Sequence, residues 1–130
     1  MNRIYSYCLV AILLLSPIAS AETYRISGKA TYADNTPVSL DYVYVECEPG
    51  NYQCYQYRGT KAMTDAYGDF IVAIDVDGEE NGLDIILNLK GENFSHIIDL
   101  EQAQISPDNK VFQNLKLEQK PAPSGVFMGF

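Results

Sequence analysis

The chain has 130 residues, with 9 Lys and Arg against 17 Asp and Glu, a formal net charge of −8. So acidic a chain repels phosphate backbones and anionic lipid headgroups, which argues against nucleic acid or such a membrane surface as a partner. A single His leaves little material for a metal centre or a histidine-based catalytic group.

Residues 1–21 read as a secretory signal peptide. Arg3 gives a positive start, Cys8 to Leu15 is an apolar run, Pro17 breaks it, and Ala19-Ser20-Ala21 offers small residues for cleavage. The apolar run is too short for the roughly twenty residues of a spanning helix. The remainder, from Glu22, is expected to be secreted, periplasmic or cell-surface. One domain is expected over residues 22–118, followed by a linker-like tail over 119–130.

The first strand is expected in YRISGKATY, with Tyr24, Ile26, Gly28, Ala30 and Tyr32 on one face. DYVYVEC, residues 41–47, supplies the second. Cys47 and Cys54 flank EPGNYQ, whose Pro49-Gly50-Asn51 is turn-forming, and an even cysteine count in an exported chain reads as a disulfide across a hairpin mouth. A direct pairing from that bridge puts Tyr44 opposite Tyr57 and Glu46 opposite Tyr55. TDAYGDF, residues 64–70, reads as a hairpin turn: Asp65 binds the turn backbone, Gly68 takes a positive φ, and Phe70 starts the next strand facing inward.

Phe70, Val72, Ile74 and Val76 form the apolar face of that strand. DVDGEEN follows, and its Asp75, Asp77 and Glu79 are weak calcium candidates. The first acidic ligand and the distal Glu of an EF-hand loop are missing, with Ala73 and Asp84 at those places counted from Gly78, so a solvated turn is expected and no metal is assigned. Leu83, Ile85, Leu87 and Leu89 alternate in the next strand, and Phe94, His96, Ile98 and Leu100 in the one after it. That pattern puts His96 on an apolar face as a structural, hydrogen-bonded residue. DLEQAQ, residues 99–104, is expected to form a turn at most, and Val111, Leu115 and Leu117 end the pattern around Gln113. About seven short strands with frequent turns mean an all-β, antiparallel sandwich, transthyretin-like or immunoglobulin-like in outline.

The order of Gly28, Asp34-Asn35, Pro37, Val43, Val45 and then Thr64-Asp65-Gly68-Phe70 resembles carboxypeptidase-regulatory-like domains, which have a transthyretin-like sandwich. The resemblance spans about Tyr24 to Leu117 and implies a non-catalytic, exported module that binds, spaces or stabilises. Tyr57-Arg58-Gly59-Thr60 is similar to a signature of 5-hydroxyisourate hydrolases, where it closes the chain. Here seventy residues follow it, and the histidines such an enzyme calls for are missing.

Tyrosines crowd the first half of the chain. Tyr42, Tyr44, Tyr55 and Tyr57 are the candidate ligand contacts, on the expectation that they share an exposed face. The function expected is therefore an exported, non-enzymatic module without a cofactor, whose partner is an envelope or extracellular protein, or a glycan. The alternatives are a carbohydrate-binding module using the tyrosine face and, further off, a transthyretin-fold hydrolase.

Overall fold

The computed structural model describes residues 22–123; the expected signal peptide and the apolar end of the tail lie outside the described residues. Among the described residues there are eight strands: β1 (Glu22–Thr31), β2 (Tyr42–Glu46), β3 (Lys61–Met63), β4 (Asp69–Val76), β5 (Asp84–Leu89), β6 (Glu92–Ile97), β7 (Lys110–Phe112) and β8 (Leu115–Lys116). They form two four-stranded sheets, one ordered β4-β1-β7 with β8 also on β1, the other β3-β2-β5-β6. The expected all-β sandwich with a disulfide is thus the fold of the chain.

Alternation dictates the core. Along β4 every second residue is buried, with Phe70, Val72, Ile74 and Val76 facing inward. Tyr24, Ile26 and Ala30 of β1 complete that side, and Val43, Val45, Ile85, Leu87 and Leu89 answer from the other sheet. Pairing Tyr24 with Ile74, Ile26 with Val72 and Gly28 with Phe70 holds the β1–β4 register, since a slip of one residue would turn both apolar faces to water. The β5–β6 hairpin closes on Lys90 and Gly91, whose φ values of 51° and 84° make the tight turn that matches strand twist.

Three expectations need correcting. The pairing is not antiparallel throughout: β7 and β8 run parallel to β1, offset identically, as two halves of one interrupted strand. The chain reaches that position through a helix, α1 (Leu100–Ile105), which carries it back along the sandwich. DLEQAQ therefore makes more than a turn, because the Asp99 side chain accepts a hydrogen bond from Gln102 N–H at 3.0 Å and caps the helix start.

TDAYGDF has the turn chemistry expected of it but is not a hairpin. Asp65 Oδ1 accepts from the N–H groups of Tyr67 and Asp69, and Gly68 sits at φ 83°. The flanking strands belong to different sheets, with β3 on β2 and β4 on β1. The turn is an arch between layers, held because the Gly68 carbonyl accepts from Ala30 N–H at 2.8 Å. Phe70, 2% exposed, closes the core just beyond it.

The interruption between β7 and β8 has a cause in β1. Gly28 faces the Gln113 carbonyl so closely that any Cβ would overlap the oxygen. Gln113 N–H donates to Ser27 O at 2.9 Å, while Asn114 Oδ1 accepts from Lys29 N–H at 2.9 Å. The strand thus dips toward β1 at the one residue without a side chain, and this aims the Gln113 side chain across the sandwich.

Candidate functional site

Cys47 and Cys54 are bonded, with Cα atoms 5.8 Å apart. The segment beyond Cys54 does not extend as a strand. It winds as a 3-10 turn over Tyr55–Tyr57, and only at Gly59 and Thr60 does the backbone reach Val45 to start pairing with β2. The direct register fails for that reason: Tyr44 lies opposite Lys61, not Tyr57. The four candidate tyrosines are accordingly split. Tyr57 is buried, 5% exposed, and its hydroxyl has no hydrogen-bond partner among the described residues. It belongs to the core and leaves the candidate set.

A 3-10 turn repeats every three residues, so side chains at i and i+3 eclipse. Tyr52, Tyr55 and Arg58 follow that spacing and stack along one side of the loop. The Tyr52 and Tyr55 rings meet edge to face at 5.4 Å, and the Arg58 guanidinium lies 4.8 Å from the Tyr55 ring centre. The Tyr55 hydroxyl accepts from Gly50 N–H at 2.8 Å, and Asn51 Nδ2 donates to Asp84 O at 2.7 Å, which ties the loop to β5. Tyr52 remains 78% exposed. The disulfide and these bonds hold the ridge in place before any partner arrives.

The loop that carries the ridge runs on through Gly59 and Thr60, which pair with Val45, into β3 at the edge of the β3-β2-β5-β6 sheet. Tyr42 and Tyr44 stand two apart on β2 with rings 5.8 Å apart, and the Lys61 ammonium is 4.5 Å from the Tyr42 ring centre. In register, Tyr44 is flanked by Lys61 on one side and Asn88 on the other. Asn88 Nδ2 in turn donates to Asn93 Oδ1 at 2.7 Å, so one row crosses all four strands. Tyr42 is half-buried and Tyr44 exposed. Sequence reasoning missed Tyr52, Arg58 and Lys61. Their signal was the spacing Tyr52, Tyr55, Arg58, Lys61, a period of three within a chain read for a period of two.

His96 belongs to a different place, the seam where the edges of the two sheets approach. It is 7% exposed. Tyr24 Oη accepts from Asp99 N–H at 3.1 Å and donates to His96 Nε2 at 2.7 Å. His96 Nδ1 donates to Gln113 Oε1 at 2.6 Å, and Gln113 Nε2 donates to Ser95 O at 3.1 Å. Since a carboxamide oxygen can only accept, Nδ1 is the nitrogen that carries the proton in the neutral ring, leaving Nε2 to accept from Tyr24. Burial, the larger influence, pushes the His96 pKa below its ordinary value, and the bond to Gln113 opposes this. Both ring nitrogens are occupied, so His96 holds the seam and has no free lone pair for substrate.

An open cleft of about 590 Å³ lies above that seam, with Ile97, Ile105 and Phe112 at its mouth. The acidic turn after β4 brings together no coordination shell. Among the described residues no three His, Cys, Asp or Glu side chains converge on a possible ion position. Asp75, expected there as a calcium candidate with Asp77 and Glu79, instead accepts from Thr23 Oγ1 at 3.1 Å.

No family description matches the chain, and no curated protein matches it in sequence. Among solved structures it is similar to the dioxygenase domain of a dioxygenase and carbohydrate-binding protein fusion from the cellulolytic bacterium Streptomyces sp. SirexAA-E. That likeness has a TM-score of 0.47 at 12% identity, over 82% of this chain and 86% of that one.

Proposed function

We propose that the chain is an exported, non-catalytic β-sandwich module of the carboxypeptidase-regulatory-like kind. Its contact surface is the tyrosine-bearing hairpin side of the β3-β2-β5-β6 sheet. One observation carries the reading: a disulfide-closed loop fixes Tyr52, Tyr55 and Arg58 as a rigid surface ridge. Tyr and Arg dominate binding hot spots because they bring large contact area at little cost in side-chain order. Among the described residues no helix is long and apolar enough to cross a membrane. The partner is an envelope or extracellular protein, or a glycan, and the exposed Tyr44 beside Asn88 favours the glycan as the second reading. A hydrolase reading has less support, since the lone histidine is committed on both nitrogens.

Cross-linking capture from the host envelope tests this, with the oxidised protein as bait and a Tyr52→Ala/Tyr55→Ala variant as control. A reproducible partner or glycan retained by the first and lost by the second is expected. Equal capture by both, or none by either, overturns the assignment of this surface.

A further inference from the structure

Charge is placed unevenly on this chain, and the tyrosine surface shows it. Acids outnumber bases by 17 to 9, yet two exposed cations, Arg58 and Lys61, stand within three residues of each other against the half-buried rings of Tyr55 and Tyr42. Three extended residues span at most about 11 Å, which bounds the separation of their Cα atoms. Neither is ion-paired: among the described residues the one salt bridge joins Lys90 to Asp41 at 3.0 Å. Glu46 is exposed on the same face, but neither cation takes it as a partner within ion-pair distance. Each lies against a tyrosine ring, Arg58 on Tyr55 and Lys61 on Tyr42. Ring stacking fixes a cation in position while leaving its remaining N–H groups free to donate outward.

We propose that the Tyr52-Tyr55-Arg58 ridge and the Lys61-Tyr42-Tyr44 face together form one binding site for an anionic polysaccharide. This rests on the reading of that surface as the contact surface, and it names the ligand. The chemistry divides cleanly between the groups. Exposed tyrosine rings offer flat apolar faces to the C–H faces of pyranose rings. Arg58 presents a planar fork of donors suited to a carboxylate or sulfate, and Lys61 a second point charge beside it. Asn88 and Asn93, in register beside Tyr44, supply amide donors and acceptors for neutral hydroxyls. An acidic peptide would match the two cations but would leave the tyrosine faces without a flat partner. A neutral glycan would match the rings but leave the cations idle. Only a ligand carrying both sugar rings and negative charge uses every group on the surface, and it complements the one basic spot there. The pre-set loop geometry lowers the ordering cost of such binding.

The test is binding of the intact protein to four probes: polygalacturonate, dextran sulfate, neutral dextran and poly-glutamate. Binding to polygalacturonate or dextran sulfate is expected, weakening as ionic strength rises, with dextran and poly-glutamate at least about tenfold weaker. Which of the two polyanions binds tighter identifies the anionic group as carboxylate or sulfate. Arg58→Gln/Lys61→Gln should weaken binding about tenfold, with an unchanged Tm because both side chains are exposed. Lys29→Gln/Lys116→Gln, which removes equal charge elsewhere, should leave it intact. Tyr44→Ala/Tyr52→Ala should weaken it as well.

Binding to dextran as tight as to the polyanions, indifferent to the charge variant, overturns the proposal, as does equal binding of poly-glutamate. No binding to any probe, with a protein partner still captured through Tyr52 and Tyr55, removes this inference and leaves the module reading standing. No binding and no capture removes both.

Discussion

Gly28 shows how one residue type organises a region far from it in sequence. Its missing side chain admits the Gln113 carbonyl, and this aims the Gln113 amide at His96 and Ser95. Gly28→Ala should therefore force the interrupted strand away from β1. Overpacking of this kind costs about 1–3 kcal/mol, measurable as a lower midpoint in urea unfolding. The signature beyond stability is specific: the His96 ring resonances should shift, because the Gln113 partner moves. Gly28 was legible as an inward position in the sequence. Its reason for being glycine was not, since the clashing atom lies eighty-five positions later and no local pattern reports it. Likewise Tyr57 fits the alternation of an exposed strand residue, and only the 3-10 turn turns it into the core.

Elements differ in how much of their stability is their own. The hairpin after β2 depends on its cross-link: closing so short a loop contributes about 2.5 kcal/mol in the chain-entropy account. Cys47→Ser/Cys54→Ser should lower stability by about that amount in denaturant titration while leaving far-ultraviolet dichroism β-like. The loss should concentrate in the loop, with amide exchange rising at Tyr52 to Arg58 before it rises in β4 or β5. Helix α1 depends on its cap. Asp99→Ala removes the acceptor of Gln102 N–H and should cost about 1 kcal/mol, with proteolysis near residues 100–105 as the readout. Strand positions and inward faces were readable because a period of two with one apolar face has few solutions. Which strand pairs with which was not readable. The arch at TDAYGDF looks locally like a hairpin, since turn residues set the reversal while partner choice rests on contacts made elsewhere.

At the level of the whole molecule, the seam through Tyr24, His96 and Gln113 couples the two sheets to pH. Burial depresses the His96 pKa in the folded state relative to the ordinary value near 6.5 that the unfolded chain keeps. Below that value the unfolded chain takes up the proton more readily than the folded one, so stability is lost as pH falls from about 6.5 through the folded pKa. It is fully present above it. Thermal melts should show a Tm that is flat above neutrality and declines on acidification. In His96→Gln that imidazole contribution should be absent, leaving only the carboxylates at lower pH. A Tm profile identical in wild type and variant would sink the coupling. The tyrosine ridge is fixed by its own cross-link and the His96 side chain points into the seam, so the acid-sensitive seam and the proposed ligand face respond to different variables.

The parallel return of the chain to its first strand has a consequence in time. β1 is flanked by β4 on one side and by β7 and β8 on the other, so Ser27 lies beside both Ile71 and Phe112. A growing chain emerging at about 5–20 residues per second cannot complete that sheet until residue 116 is made. Until then its central strand lacks a neighbour, and pairings between distant residues are slow to form. Closure of this sheet therefore waits on residues 110–116 however early β1 and β4 have paired, so the last-made strands decide when its central strand is finally covered.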